Sequence, residues 1–249
     1  MRPALKKLES GDIALIGYQR VIFHMIFYVK MEDYRRKARL VAGGHVTEPP
    51  DTITYASVVL RDKLRIALTL NALNYLPVKV ADIQNAYIAA PDTEKIWTVL
   101  GQEFGGDAGS KAIVLWSVYG MKSSGYDVRN HLVDCMHHLG ILPCPADLEL
   151  WMKPIVRSKD GFEYYTYVIK YVDNVMVIHH DTESVIRRID KYFKLNPSSI
   201  GDPEIYLGAK LKKMRLENRV WEWANSPASY VKESVANVEK YLAELADAR

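Results

Sequence analysis

The alternation of apolar and polar positions predicts a series of short strands interrupted by a few helices. Residues 21–31, Val-Ile-Phe-His-Met-Ile-Phe-Tyr-Val-Lys-Met, are rich in β-branched and aromatic side chains and predict a strand. Residues 37–42 predict a second strand, in which basic side chains alternate with apolar ones. Gly43-Gly44 then turns the chain, and Glu48-Pro49-Pro50-Asp51 predicts a loop. Over residues 61–76 the period becomes helical, with Leu64, Ala67, Leu68 and Leu73 expected on one face and Pro77 as the stop. Residues 78–83 predict a strand that runs into a short turn or helix at 84–88. Further strands are expected at 96–100 and 112–116, and a helix at 126–139. Residues 163–170 and 174–179 are two β-rich runs joined by Tyr171-Val172-Asp173, the pattern of a tight hairpin. A helix is expected over 183–193, a strand or hairpin arm over 205–214, and a short strand at Trp221-Glu222-Trp223. A long amphipathic helix is expected from Ser226 to about Ala248, with Ser226 as N-cap and Pro227 at the first helical position. Strands and helices without regular βαβ alternation predict an α+β fold.

Composition narrows the class without fixing it. The 249 residues are 49% hydrophobic and 25% charged, ordinary values for a folded chain. No uninterrupted apolar run is long enough for a membrane span, and the N-terminus lacks the apolar core and cleavage site of a secretory signal. Two cysteines, Cys135 and Cys144, cannot make a disulfide framework, so a reduced, intracellular protein is expected. The net charge of +3 is too small to announce nucleic-acid binding, but its distribution is uneven. Residues 1–45 hold nine Lys/Arg against four acids, and Lys210, Lys212, Lys213, Arg215 and Arg219 form a second basic cluster. Charge alone leaves both as solvated faces.

Two acids stand out because each interrupts an apolar strand pattern. Asp82 follows Val78, Val80 and Ala81, and Asp173 lies at the junction of the two β-rich runs. A carboxylate there is exposed at a strand end, paired with Lys or Arg, or bound to a cation, since burial without a partner costs several kcal/mol. Two such carboxylates at one sheet edge could hold Mg²⁺ through oxygen ligands. A pair of ions roughly 3.5–4 Å apart would serve phosphoryl transfer.

Six short segments, in order, resemble the reverse transcriptase domain of copia-type LTR retrotransposons, the domain carried in the Pseudoviridae pol polyprotein. They are Lys37-Ala38-Arg39-Leu40-Val41-Ala42-Gly43-Gly44-His45, Tyr55-Ala56-Ser57-Val58-Val59, Asp82-Ile83-Gln84-Asn85-Ala86-Tyr87, Tyr119-Gly120-Met121-Lys122-Ser123-Ser124, Tyr171-Val172-Asp173-Asn174 and Tyr206-Leu207-Gly208. Any one is weak; six in order over residues 20–240 are specific. The resemblance implies a right-hand polymerase, with fingers and an antiparallel palm over 1–215 and the start of a thumb or connection helix over 216–249. It implies RNA-directed DNA synthesis, with dNTP and template–primer as partners and two Mg²⁺ ions as cofactors. A homo-oligomer and a larger polyprotein are both left open. No membrane is involved, and a cytoplasmic place in virus-like particles is expected, with nuclear passage open. No RNase H, integrase or protease segment is read in the 249 residues.

Residue roles follow from the same resemblance. Asp82 and Asp173 would be the metal carboxylates, and the Ile83 carbonyl a further ligand. Lys37 and Arg39 would neutralise the triphosphate. Backbone N–H groups near Asn85 and Ala86 would cradle it. Tyr87 would exclude a 2′-hydroxyl by bulk. Tyr206, Leu207 and Gly208 would hold the primer end, and the basic cluster at 210–219 would touch phosphates.

The sequence also departs from that family. Asn174 stands where a second Asp is usual. It keeps one carbonyl oxygen, loses a negative charge and adds an amide donor, so cation binding should weaken. Tyr126 and Val128 replace an Arg and a Trp, Leu148 replaces a Pro, and Tyr28 replaces an Asp. These departures keep open a catalytically silent domain that only binds nucleic acid. A zinc protein using His137, His138, His179, His180, Cys135 and Cys144 lacks the usual ligand spacing. No Gly-x-Ser-x-Gly supports a serine hydrolase.

Overall fold

The computed structural model describes the chain except residues 1–3, 10–11, 13–14, 31–33, 51–53, 55–58, 172, 208, 218–220 and 248–249. Side chains of residues 30, 229–230 and 244–247 also lie outside the description. The fold mixes α and β structure, with four sheets and four α-helices among the described residues. The chain divides into two compact units: residues 1–56 with 85–138, and residues 57–84 with 139–249.

The first unit holds a two-stranded antiparallel hairpin, Phe23–Lys30 against Arg35–Ala42, with Phe23 opposite Ala42 and Lys30 opposite Arg35. Both strands were legible from their β-branched and alternating patterns. The unit also has a four-stranded sheet in the order Leu5–Lys7, Lys111–Val114, Ile96–Val99, Gln19–Arg20. Its first and last strands, of three and two residues, are too short to leave a periodic signal. Val21, Phe23, Ala42, Ile96, Val114, Val118 and Met121 form its core. A polar knot is centred on the first turn of helix Ser124–His138. Asp127 is buried, and its carboxylate accepts hydrogen bonds from Thr93 Oγ1 (2.7 Å), Ser117 Oγ (2.9 Å) and Ser123 Oγ (2.8 Å).

The second unit is built on a five-stranded antiparallel sheet. Its order is Val78–Asp82, Asn174–Ile178, Phe162–Tyr171, Asp147–Arg157, Leu142–Cys144. The sequence pattern gave no sign of the last two strands. Pro154 and several polar positions break the alternation of Asp147–Arg157. Pro154 is tolerated because Leu142–Cys144 pairs no further along than Met152, so this stretch is an edge. One sheet face, carrying Val78, Ile169, Met176 and Ile178, packs with Leu64, Ala67 and Leu68 of helix Arg61–Leu73. Leu73 is not on that face and is 65% exposed. Nine residues after Leu64 is a half-turn away at 3.6 residues per turn, and Asn71 takes the buried position instead.

Helix Thr182–Asp190 starts where Asp181 accepts the Ser184 N–H at 3.0 Å, and Val185, Ile186 and Ile189 bury its apolar stripe. It ends earlier than its apolar pattern suggested, because Phe193 and Leu195 reach the core from the following turn. A three-stranded sheet follows, Ile205–Tyr206, Ala209–Arg215 and Trp221–Ser226. Ser226 closes the last strand rather than starting the helix. Its hydroxyl accepts the Ala228 N–H, the Pro227 carbonyl accepts the Val231 N–H, and the helix runs Ala228–Asp247. No described helix is long and apolar enough to cross a membrane.

Candidate active site

The strand Val78–Asp82 lies against Asn174–Ile178 in a register that sets Val78 opposite Ile178, Val80 opposite Met176 and Asp82 opposite Asn174. Cross-strand partners share a face, so Asp82 and Asn174 extend the core-facing row of valines and Met176 to the end of the sheet. Tyr171 pairs with Asn174 to close the hairpin. The Ile83 N–H donates to the Asp173 carbonyl at 2.7 Å, so the ladder continues one step past Asn174. Asp82, Asp173 and Asn174 are each half-buried at this corner.

The outer flank of Asp82 is held by residues 194–201. Its N–H donates to Ser199 Oγ (2.8 Å), and its carbonyl accepts the Asn196 N–H (2.8 Å). Gln84 N–H reaches the Lys194 carbonyl, and Val80 exchanges hydrogen bonds with Gly201. Asn-Pro-Ser-Ser at 196–199 reads as a turn in the sequence. Nothing there signals that the turn clamps an acid more than a hundred residues away.

This donor set suits a hard divalent ion in kind: two carboxylates, backbone carbonyls and one amide oxygen. Its charge is lower than that of three carboxylates. The Asn174 Nδ2 donates to Asp173 Oδ1 at 3.4 Å, placing an N–H on an oxygen that could otherwise face a cation. Among the described residues no group of three or more His, Cys, Asp or Glu is placed to hold a metal ion. His179 and His180 stack at 4.2 Å, and Tyr164 hydroxyl meets His180 Nδ1. Cys135 is buried, with its thiol pushed up to about 12 by burial.

Lys37, Arg39, Asn85, Ala86 and Tyr87 belong to the first unit. Lys37 stands opposite Tyr28 and Arg39 opposite Ile26. The Arg39 guanidinium lies 5.1 Å from the Tyr28 ring and 4.8 Å from the Tyr119 ring. Tyr119 meets Tyr87 edge-on with ring centroids 4.6 Å apart. Tyr28, a departure in the sequence, thus becomes a cation–π partner, and Tyr119 links Arg39 to Tyr87. Its signal was its place in the Tyr-Gly-Met-Lys segment. The Tyr119 carbonyl accepts the Ala42 N–H at 2.7 Å. Gly120, at φ +92°, lies so close that a Cβ would fall 2.0 Å from the Ala42 oxygen. Asn85 is left-handed at φ +53° and leads into a 3₁₀ turn, Ala86–Ala89. Left- then right-handed backbone turns successive N–H groups toward one point, a geometry suited to an anion.

Tyr206 and Leu207 are core residues of the second unit. The Tyr206 hydroxyl donates to the Ile169 carbonyl at 2.9 Å, burial pushes its phenol upward, and its ring lies 6.2 Å from Tyr171. The segment therefore braces the hairpin that carries Asp173. Leu207 has φ +52°, and Gly208, Val172 and residues 55–58 of the second quoted segment lie outside the described residues. Lys210, Lys212, Lys213 and Arg215 are exposed along one strand, while Arg219 is outside the description.

The described residues thus bring one acid at a strand end and one in the adjoining turn to a single corner of the sheet, and expose a cationic strand, Ala209–Arg215. The chain belongs to the reverse transcriptase (RNA-dependent DNA polymerase) family, whose model matches residues 14–224, the family typical of copia-type retrotransposons. Membership makes it an RNA-directed DNA polymerase by family, with template–primer nucleic acid and dNTP as the general substrates. No curated protein matches the sequence.

Proposed function

We propose that this chain extends a primer by templated nucleotidyl transfer in the manner of copia-type elements, at a rate reduced by Asn174. The observation that carries the reading is the register pairing of Asp82 with Asn174, next to the Asp173–Ile83 hydrogen bond. The five-stranded sheet is the palm, the 23–42 hairpin belongs to the fingers, and helix Ala228–Asp247 begins the thumb. Asp82, Asp173 and the Ile83 carbonyl would hold two Mg²⁺ ions, which when bound acidify the primer 3′-hydroxyl and neutralise the leaving pyrophosphate. In the first unit, Lys37 and Arg39 would counter the triphosphate charge, and the N–H groups at Asn85 and Ala86 would meet its oxygens. Tyr87, held edge-on by Tyr119, would exclude a 2′-hydroxyl by bulk. The primer 3′-oxygen bonds to the α-phosphorus as the bond to pyrophosphate breaks, and the hydroxyl proton passes to solvent.

A second reading is favoured by one contact, the Asn174 amide on the Asp173 carboxylate. Under it the fold binds template–primer but adds no nucleotide. Primer extension with Mg²⁺ and with Mn²⁺ separates the two, with Asp82→Ala as the blank. Extension above that blank supports the polymerase; binding of template–primer with no added nucleotide in either metal supports the silent domain.

A further inference from the structure

Between helix Arg61–Leu73 and the hairpin of Ala209–Arg215 with Trp221–Ser226 lie two cavities, separated by Trp223. The Trp223 indole donates to Asn71 Oδ1 at 2.8 Å and so is fixed as a wall. The larger cavity, about 310 Å³, is lined by Arg65, Thr69 and Leu73 of the helix and by Glu222 and Asn225 of the hairpin, with no aromatic face other than that wall. One face alone cannot sandwich a base, and its one cation is matched by a carboxylate. The smaller, about 210 Å³, is different in kind: Tyr75, Pro77, Trp221, Trp223 and Lys213 line it. It falls below the usual range of pockets for drug-sized ligands, and so suits a single planar group rather than a whole cofactor.

Two features mark this smaller cavity as more than a packing gap. Trp221 is 44% exposed, and its ring carries two cations, Lys213 Nζ at 5.6 Å and Arg215 Cζ at 5.9 Å. The register makes Arg215 the direct partner of Trp221, and Lys213 that of Trp223, so cations and indoles share one face. Tyr75 is 72% exposed; its φ of +51° is the left-handed position that ends helix Arg61–Leu73, where the Leu76 N–H donates to the Asn71 carbonyl at 3.1 Å and the Tyr75 N–H to the Ala72 carbonyl at 3.3 Å. The cap leaves its ring exposed in the lining of the cavity. A site of flat aromatic faces ringed by cations matches an unpaired nucleic-acid strand: bases stack and phosphates meet Lys and Arg. A duplex offers no free base face to it.

We propose that Tyr75, Trp221, Lys213 and Arg215 form a binding site for single-stranded nucleic acid, taking one unpaired base in the cavity with its flanking phosphates on the two cations. The site lies within the second unit and is distinct from the Asp82 corner. It rests on the polymerase reading only in that a template supplies unpaired strand.

The test is fluorescence anisotropy with the full chain and three labelled probes: an oligo-dT, the same length with abasic sites, and a blunt duplex. Oligo-dT should bind about tenfold more tightly than the abasic strand. Trp221→Ala should erase that ratio while Trp221→Phe keeps most of it. Lys213→Gln and Arg215→Gln should weaken both strands and each lower the salt slope by about 0.7. Tyr75→Gly guards against a folding artefact: it should raise the melting temperature by relieving φ strain, yet weaken oligo-dT. Equal binding of oligo-dT and abasic strand by the unaltered chain overturns the proposal. So does an oligo-dT affinity unmoved by Trp221→Ala and Tyr75→Gly, which would leave the groove to a protein partner. Asp82→Ala should bind oligo-dT like the unaltered chain, so loss of extension and loss of this site are read separately.

Discussion

Asp82 and Asn174 are direct cross-strand partners, and the residue before Asn174, Asp173, accepts the amide of the residue after Asp82. Two segments more than ninety positions apart thus end at one corner of one sheet. Any chemistry there depends on the charge this corner carries, and Asn174 leaves it one carboxylate short of the usual family set.

Asn174→Asp restores that charge and removes the amide from Asp173 Oδ1. Primer extension should rise on the order of 100-fold with Mg²⁺, with a smaller gain in template–primer affinity. Single-turnover rates for both chains provide the check. Equal rates would show that position 174 takes no part in holding cations.

Tyr87 should govern sugar selection. Its edge contact with Tyr119 fixes the ring, and Tyr119 is itself fixed by Arg39 and by the Ala42 hydrogen bond. In the Asn174→Asp background, Tyr87→Ala should lower the preference for dNTP over rNTP by about 100-fold. The ratio of kcat/KM for the two substrates measures it. An unchanged ratio would return Tyr87 to a purely packing role.

Gly120 should tolerate no side chain. A Cβ would meet the Ala42 oxygen at 2.0 Å and the Val41 Cγ1 at 2.8 Å, at a φ of +92°. Gly120→Ala should destabilise by about 3 kcal/mol or more, through clash and positive φ together. Gly161→Ala is the control. Its φ is also positive, +70°, but nothing lies within 4 Å of its Cβ, so about 1 kcal/mol is expected. Urea midpoints should separate the two variants clearly.

Asp92 should make stability fall with rising pH. Burial pushes its carboxyl from 3.8 up to about 7, neighbouring Asp127 and Glu94 add to the shift, and the Glu94 N–H opposes it. Its Oδ2 is buried without a hydrogen-bond partner. The folded value lies above the unfolded one, so this contribution is fully present below about pH 4, declines as pH rises, and is gone once pH passes about 7. Asp92→Asn should equal the unaltered chain near pH 4 and exceed it by a few kcal/mol at pH 8. A difference that does not vary with pH would refute the assignment.

Most strands and helices were legible because their apolar periods were long enough to read. Phe162–Tyr171 and Asn174–Ile178 announced themselves as a hairpin, and so did the strand carrying Asp82. Asp147–Arg157 did not, since Pro154 and scattered polar residues hide a strand whose pairing is set by its neighbour. The helical face was misjudged at Leu73, where simple counting of turns already separates it from Leu64.

Of the site, the sequence by itself determined the chemical inventory and the family: which acids break apolar runs, which segments stand in order, and where Asn replaces Asp. Those are local properties, carried by residue identity and spacing. Only the tertiary structure decided that Asp82 faces Asn174, that residues 196–199 clamp Asp82, that Tyr28 and Tyr119 flank Arg39, and that Tyr75 lines a cavity with Trp221. All but the Tyr28–Arg39 contact, which lies within one hairpin, join residues far apart along the chain. Register, strand order and the burial of a shared core set such contacts, and no local period encodes them.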